Sequence, residues 1–189
     1  MLYYIDNYQK ALTYIDKRKY KLALKEIDSI IEDFSHFSEI YYNRGICYYY
    51  LKKYNEAIKD FSIALISNQN DQEYLFARSM SFCAMYKYDK ALFDLLHIIK
   101  LNKNNIDAIL LTGHIYLDLE NYQEALKYFT QVIDNQKYTQ LSLRKVAYCY
   151  LKMGCIKTAL TFFERLFANN PNDSESKFYI QIIKNFFNK

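Results

Sequence analysis

The amino-acid sequence predicts an all-α protein of about eleven helices, arranged as stacked antiparallel hairpins with one further helix at the C-terminal end. Three observations predict it. The strings Tyr54-Asn-Glu-Ala-Ile, Tyr88-Asp-Lys-Ala-Leu and Tyr122-Gln-Glu-Ala-Leu recur every 34 residues, and Tyr20-Lys-Leu-Ala-Leu and Ile156-Lys-Thr-Ala-Leu extend the series both ways. A fixed period of this length marks a tandem helical repeat. Within the period, large and small side chains recur at spacings of three and four, which is the spacing of one helix face. Finally, 51% of the 189 residues are hydrophobic while only 3 are glycine and 1 is proline, so the chain can bury a core and has few helix breakers.

Five units follow without insertion or deletion: 4–37, 38–71, 72–105, 106–139 and 140–173. Numbered within each unit, position 8 is small (Ala11, Gly45, Ser79, Gly113, Ala147) and position 11 is aromatic (Tyr14, Tyr48, Phe82, Tyr116, Tyr150). Position 20 is always alanine (Ala23, Ala57, Ala91, Ala125, Ala159), and position 24 is large and apolar (Ile27, Phe61, Leu95, Phe129, Phe163). The spacing predicts a helix at about positions 2–14 and a second at about 18–31 of each unit. The link between them is short enough to force an antiparallel hairpin. Small residues at 8 and 20 let the paired backbones approach, and the aromatics at 11 and 24 fill the space beside them. Asn55 and Asp89 stand where the second helix should begin and are expected to be N-caps. Residues 174–189 place Phe178, Tyr179, Ile182, Ile183 and Phe186 at helical spacing with Lys177, Gln181 and Lys184 between them. That is an amphipathic helix expected to cover the end of the stack, so residues 1–189 read as a single capped array.

Composition excludes several function classes. A formal charge of +4 with 24% charged residues is mild and does not by itself imply a nucleic-acid partner. Residues 140–189 carry eight basic and three acidic side chains, which makes that end basic. The N-terminus lacks a basic region, and Asp6 interrupts any apolar run, so it does not read as a signal peptide. No run approaches the ~18 apolar residues of a membrane helix, and a soluble cytoplasmic protein is expected. Cys47, Cys83, Cys149 and Cys155 form no Cys-x-x-Cys pair, so they read as free thiols. His36, His97 and His114 do not cluster, and there is no phosphate-binding glycine loop or nucleophile elbow. No catalysis, metal or cofactor is expected.

The repeat resembles the tetratricopeptide repeat family, whose pattern places an aromatic at 4, Leu at 7, Gly at 8, Tyr at 11, Ala at 20, Phe at 24, Ala at 27 and Pro at 32. Residues Tyr41, Gly45, Tyr48, Ala57, Phe61 and Ala64 of the second unit match it best, and the resemblance covers about nine tenths of the chain. There are departures. Lys10, Arg44, Arg78, Thr112 and Val146 replace the Leu at 7, and only the last unit has the proline, Pro171. The resemblance implies a right-handed α-solenoid whose first helices line a concave groove at positions 2, 5, 6, 9, 12 and 13.

Those positions are Ile5, Tyr8, Gln9, Leu12, Ile15 and Asp16 in the first unit, and Glu39, Tyr42, Asn43, Ile46, Tyr49 and Tyr50 in the second. The third supplies Glu73, Phe76, Ala77, Met80, Cys83 and Ala84. The fourth supplies Asp107, Leu110, Leu111, His114, Leu117 and Asp118, and the fifth Leu141, Arg144, Lys145, Tyr148, Leu151 and Lys152. Most are apolar or aromatic, and residues 40–51 are apolar nearly all round. A helix of that kind expects cover on every side. The expected partner is therefore an apolar or amphipathic peptide or helix of another protein, anchored on Tyr42, Ile46, Tyr49, Phe76, Met80, Leu110 and Leu117. The family's clamp for chaperone carboxylates needs Lys and Asn at 5 and 9, Asn at 6 of the next unit, and Lys and Arg at 2 and 6 of the third. Here Tyr8, Leu12, Asn43, Glu73 and Ala77 stand there, so chaperone tails are disfavoured. By analogy the groove is more similar to adaptor-type repeat proteins that hold secretion or assembly partners. Two other readings remain open: single-stranded RNA on Arg144, Lys145, Lys152 and Tyr148, disfavoured by the carboxylates of the same groove, and a homo-oligomer with a second copy filling the groove.

Overall fold

The computed structural model describes the backbone of residues 2–187 and the side chains of residues 6–187. The Ile5 side chain lies outside the described residues. Among these residues all regular structure is helical. In chain order the helices are α1 (Leu2–Asp16), α2 (Tyr20–Asp28), α3 (Ser38–Tyr50), α4 (Tyr54–Ser67), α5 (Gln72–Ala84), α6 (Tyr88–Leu101), α7 (Ile106–Asp118), α8 (Tyr122–Gln131), α9 (Thr139–Lys152), α10 (Ile156–Asn169) and α11 (Ser174–Phe187). They pair as hairpins, α1 with α2 through α9 with α10, and α11 packs on α10. The chain divides into two compact units, residues 1–103 with three hairpins and residues 104–189 with two hairpins and α11.

The hairpin turns share one geometry. Arg18, Lys52, Tyr86, Glu120 and Gly154, all at repeat position 15, have φ of 55°, 60°, 57°, 56° and 77°. The next N–H then reaches back to the position-11 carbonyl, as in Lys53 N to Tyr48 O at 2.8 Å and Cys155 N to Tyr150 O at 2.9 Å. This closure satisfies a carbonyl that the helix end would otherwise orphan. Only the fifth turn uses the residue suited to positive φ. A side chain there carries a steric cost of about 1 kcal/mol. Lys52→Gly is therefore expected to raise the thermal midpoint, gaining about 0.5–1 kcal/mol, while Gly154→Ala lowers it by a similar amount; calorimetry of both variants checks the pair.

The structure corrects two details. Asn55 and Asp89 are not N-caps, because α4 and α6 begin one residue earlier behind Lys53 and Lys87, which make no side-chain cap bond. The capping side chains are Asp71, which accepts from the N–H groups of Glu73 and Tyr74, together with Asn105, Asn121 and Asp173. Asp89 instead stands in the first turn of α6, where a carboxylate opposes the positive helix end. Helices α2 and α8 end a turn or more early. At α2 the Ser29 hydroxyl takes the Glu26 carbonyl (2.7 Å), and Ile30 N bonds only three residues back, to Ile27 O. At α8 the Thr130 hydroxyl takes the Leu126 and Lys127 carbonyls, and the following N–H groups likewise reach only three residues back. The link to the next unit holds an Asx turn whether position 32 is Gln69 or Pro171: Asn70 N donates to Asn68 Oδ1 at 3.1 Å and Asn172 N to Asn170 Oδ1 at 3.2 Å.

The small positions pack as their sizes require. A Cβ on Gly45 would lie 2.6 Å from Phe61 Cε1, and one on Gly113 2.9 Å from Phe129 Cζ, so each glycine exists to admit the ring across the hairpin. The missing Leu at position 7 also has a structural reason. Arg44 donates Nε and Nη2 to Asp60 at 2.7 and 2.9 Å and reaches Asp28 at 3.3 Å. Arg78 repeats this on Asp94 at 2.9 and 2.8 Å, with Ser62 in place of Asp28. Asp60 and Asp94 are buried. The last two hairpins have Thr112 and Val146 at position 7 and no acid at position 23. There Tyr128 stacks on Tyr116 (5.6 Å) and Phe162 on Tyr150 (5.5 Å).

Candidate functional site

In residues 1–103, the face of the first helices carries two neighbouring depressions that share α3 as a wall. One, of about 250 Å³, is lined by Tyr42, Ile46, Tyr49, Tyr50, Phe76 and Met80, with buried Phe61 and Ala77 beneath and Glu73 at the edge. Four of these lining positions face outward because residues 42, 46, 49 and 50 fall on one side of α3 at three- and four-residue spacing. Tyr42 is fixed twice: its hydroxyl donates to Glu73 Oε1 at 2.7 Å, and its ring stacks on Tyr74 at 4.8 Å. Burial first, then the Glu73 carboxylate, pushes the Tyr42 hydroxyl well above its ordinary range, so it stays a donor. Tyr49 meets Tyr50 and Tyr54 edge-on, and Tyr50 stacks on Tyr20 at 4.6 Å.

The other depression, of about 430 Å³, is lined by Tyr8, Gln9, Ile30, Phe34, Phe37, Glu39 and Ile40. It exists because α2 stops at Asp28 and the turn that follows carries Ile30 and Phe34 into place. Asn43 closes its wall, donating Nδ2 to Tyr8 Oη at 2.7 Å and to Glu39 O at 2.9 Å. Leu12 is half-buried on α1 and lines neither depression.

In residues 104–189 the sequence-selected residues are more committed. Leu110 is buried and Leu117 half-buried. His114 meets Phe129 edge-on at 5.3 Å. Arg144 donates Nη2 to Asp173 at 2.8 Å, and its Nε lies 3.1 Å from Glu175 without hydrogen-bond alignment, so two carboxylates at the start of α11 neutralise it. Tyr148 lies edge-on to Tyr122, with Lys152 Nζ 5.5 Å from its ring centre.

Burial, reinforced by Lys145 and opposed by Asp118, lowers the His114 pKa below the ordinary 6.5. A lowered imidazole favours the neutral form in the fold. Its contribution to stability is whole above pH 6.5 and is lost as pH falls through the lowered value. Urea midpoints measured from pH 7.5 down to 5 should show a decline that is shallower in His114→Gln.

The sequence pattern put Phe178, Tyr179, Ile182, Ile183 and Phe186 together on the covering face of the last helix, and the structure splits that set. On α11, Tyr179, Ile180 and Ile183 pack against the last hairpin, as a capping helix requires. Phe178, Ile182 and Phe186 point away and are 58%, 48% and 64% exposed. Continuing the 34-residue phase puts them at positions 5, 9 and 13, the positions assigned to the groove. The signal was the phase itself, obscured by reading α11 only as a cap.

Among the described residues no group of three His, Cys, Asp or Glu side chains is placed to hold a metal ion. Burial pushes the Cys47 and Cys149 thiols up to about 12 and about 11, which keeps them protonated and inert. No described helix is long and apolar enough to cross a membrane.

These features define a class: a protein of helical hairpin repeats whose first helices present an open, aromatic-rich face. Models of the tetratricopeptide repeat match residues 38–71 and 106–138. A tetratricopeptide repeat protein from Parabacteroides merdae is similar in structure over 100% of this chain and 75% of its own, with a TM-score of 0.85 at 18% identity. MamA is similar over 92% of this chain and 94% of its own (TM-score 0.81, 14% identity). YrrB, described as a tetratricopeptide repeat protein with an unusual peptide-binding site, is similar over 90% of this chain and 88% of its own (TM-score 0.76, 19% identity). No curated protein matches the chain in sequence. The chain belongs to the tetratricopeptide repeat family.

Proposed function

We propose that this protein is a non-catalytic scaffold or adaptor that binds an apolar or amphipathic segment of a partner protein on the face of its first helices. One observation carries the reading: Tyr42, Ile46, Tyr49, Tyr50, Phe76 and Met80, chosen by repeat position alone, line a single open depression over Phe61. Two of these side chains are held by contacts with residues outside the depression's floor, Tyr42 on Glu73 and Tyr50 on Tyr20, and Tyr49 packs edge-on against Tyr50. Rigid aromatic anchors of this kind give binding area at low entropic cost. The peptide-binding site named for YrrB supports the reading by fold analogy. The same reading takes residues 1–189 as one array working in the cytoplasm. A peptide-display selection against the wild type and a Tyr49→Lys/Phe76→Ala variant, its helicity verified by circular dichroism, tests it. Enriched peptides should bind the variant at least about 30-fold more weakly, as loss of roughly 2 kcal/mol of anchor energy requires. Equal binding to both proteins refutes the reading.

Self-association is a second reading, favoured by the outward stripe of Phe178, Ile182 and Phe186 on α11. Sedimentation that gives only monomer at high concentration removes it. The RNA reading gains no support, because Asp173 and Glu175 neutralise Arg144.

A further inference from the structure

The charges around the two depressions of residues 1–103 are one-sided, and the one-sidedness comes from where the cations go. The described basic side chains on α1, α3 and α5 are Lys10, Arg44 and Arg78. Each is already in an ion pair: Lys10 with Asp6 at 2.6 Å, Arg44 with Asp60 at 2.7 Å and Arg78 with Asp94 at 2.8 Å. All three stand at repeat position 7, away from the binding positions. Each depression, by contrast, carries one exposed carboxylate, Glu39 in the larger and Glu73 in the smaller. Among the described residues neither has an ion-pair partner. The Glu39 carboxylate accepts only from Ser38 Oγ at 3.3 Å, and the Glu73 carboxylate only from Tyr42 Oη, which leaves lone pairs on both free. Every binding position of the first three units is therefore neutral or acidic.

We propose that the occupant of this face is a cationic amphipathic polypeptide segment, with one large apolar side chain for each depression and Lys or Arg beside them to meet Glu39 and Glu73. This rests on the proposed protein-binding reading and adds the sign of the partner's charge. A cation placed there gains a carboxylate that no intrachain group neutralises, next to apolar walls that weaken screening. An acidic segment would meet two unneutralised carboxylates, a repulsion that excludes wrong partners. The depressions lie on either side of α3. Neighbouring helices pack about 10 Å apart, a span covered by two turns of helix or about three residues of extended chain.

The test uses two fluorescent amphipathic helical peptides of identical apolar stripe, one with lysines on its polar flanks and one with glutamates at the same places. Anisotropy titrations are made on the full chain and on the Glu39→Gln/Glu73→Gln and Glu39→Lys/Glu73→Lys variants, each verified folded by circular dichroism. The wild type is expected to bind the lysine peptide at least about tenfold tighter than the glutamate peptide, with the gap narrowing in high salt. The glutamine variant should lose the preference and the lysine variant should reverse it. Equal affinities in the wild type, or a preference unchanged by the variants, overturns the charge assignment and leaves the apolar face as a binding surface. If neither peptide binds the wild type even at millimolar concentration, the assignment and the binding reading both fall.

Discussion

Replacing Arg44 with valine is expected to remove about 3–5 kcal/mol of folding free energy. The guanidinium holds Asp60 through two charge-assisted hydrogen bonds at 2.7 and 2.9 Å, and Asp60 is 1% exposed. Valine would leave that carboxylate buried without a counter-ion, which is the costly way to break an ion pair. Arg44→Lys should fall between, because an ammonium cannot make the bidentate contact. Adding Asp60→Phe to Arg44→Val should restore most of the loss. The fifth hairpin already uses that pair, with Val146 at position 7 and Phe162 at position 23 stacked on Tyr150 at 5.5 Å. Tyr48 stands at the matching place in the second hairpin and would receive the new ring. Urea unfolding of wild type, both single variants and the double variant forms a complete cycle. A double variant no more stable than Arg44→Val alone would show that the ion pair and the ring stack are not interchangeable in this repeat.

Phe61→Ala is expected to cost about 3–5 kcal/mol and to weaken binding as well. The ring is fully buried, and it fills space opened for it by Gly45, where even a methyl group would come within 2.6 Å. With no Cβ on the facing helix, little can collapse into the void, so the cavity cost should stand near the top of its range. The same ring floors the depression under Tyr42, whose ring centre lies 5.8 Å away. Stability by denaturant and affinity for the lysine peptide should therefore fall together. Phe129→Ala, the matching change at Gly113 in residues 104–189, should cost similar stability while leaving that peptide's affinity unchanged. Loss of affinity in both variants would point to global unfolding and not to the floor of the depression.

Much of this protein was determined by sequence alone, for a physical reason. A helical repeat is held by contacts between neighbours in the chain, so the 34-residue recurrence of Ala at position 20, a small residue at 8 and a large one at 24 states the packing directly. The hairpins and their order follow from that periodicity, and the resemblance to the tetratricopeptide repeat family added the expectation that Tyr42, Ile46, Tyr49, Phe76 and Met80 face outward. What it could not state were matters settled by atoms brought together across helices. The positive φ of Arg18, Lys52, Tyr86 and Glu120 has no local sequence mark, because the hairpin closure imposes it on residues that would not choose it. The early ends of α2 and α8, where the backbone N–H groups bond three residues back instead of four, have no mark in the repeat pattern, and that at α2 shapes the larger depression. Arg44 and Arg78 read only as departures from a leucine until Asp60 and Asp94, sixteen residues on, were seen opposite them. Arg144 read as a groove cation until Asp173 and Glu175 were found against it. Periodicity reports which way a side chain faces; only the tertiary structure decides which charges are already neutralised there, because ion pairing depends on distances between helices that no single-helix pattern contains.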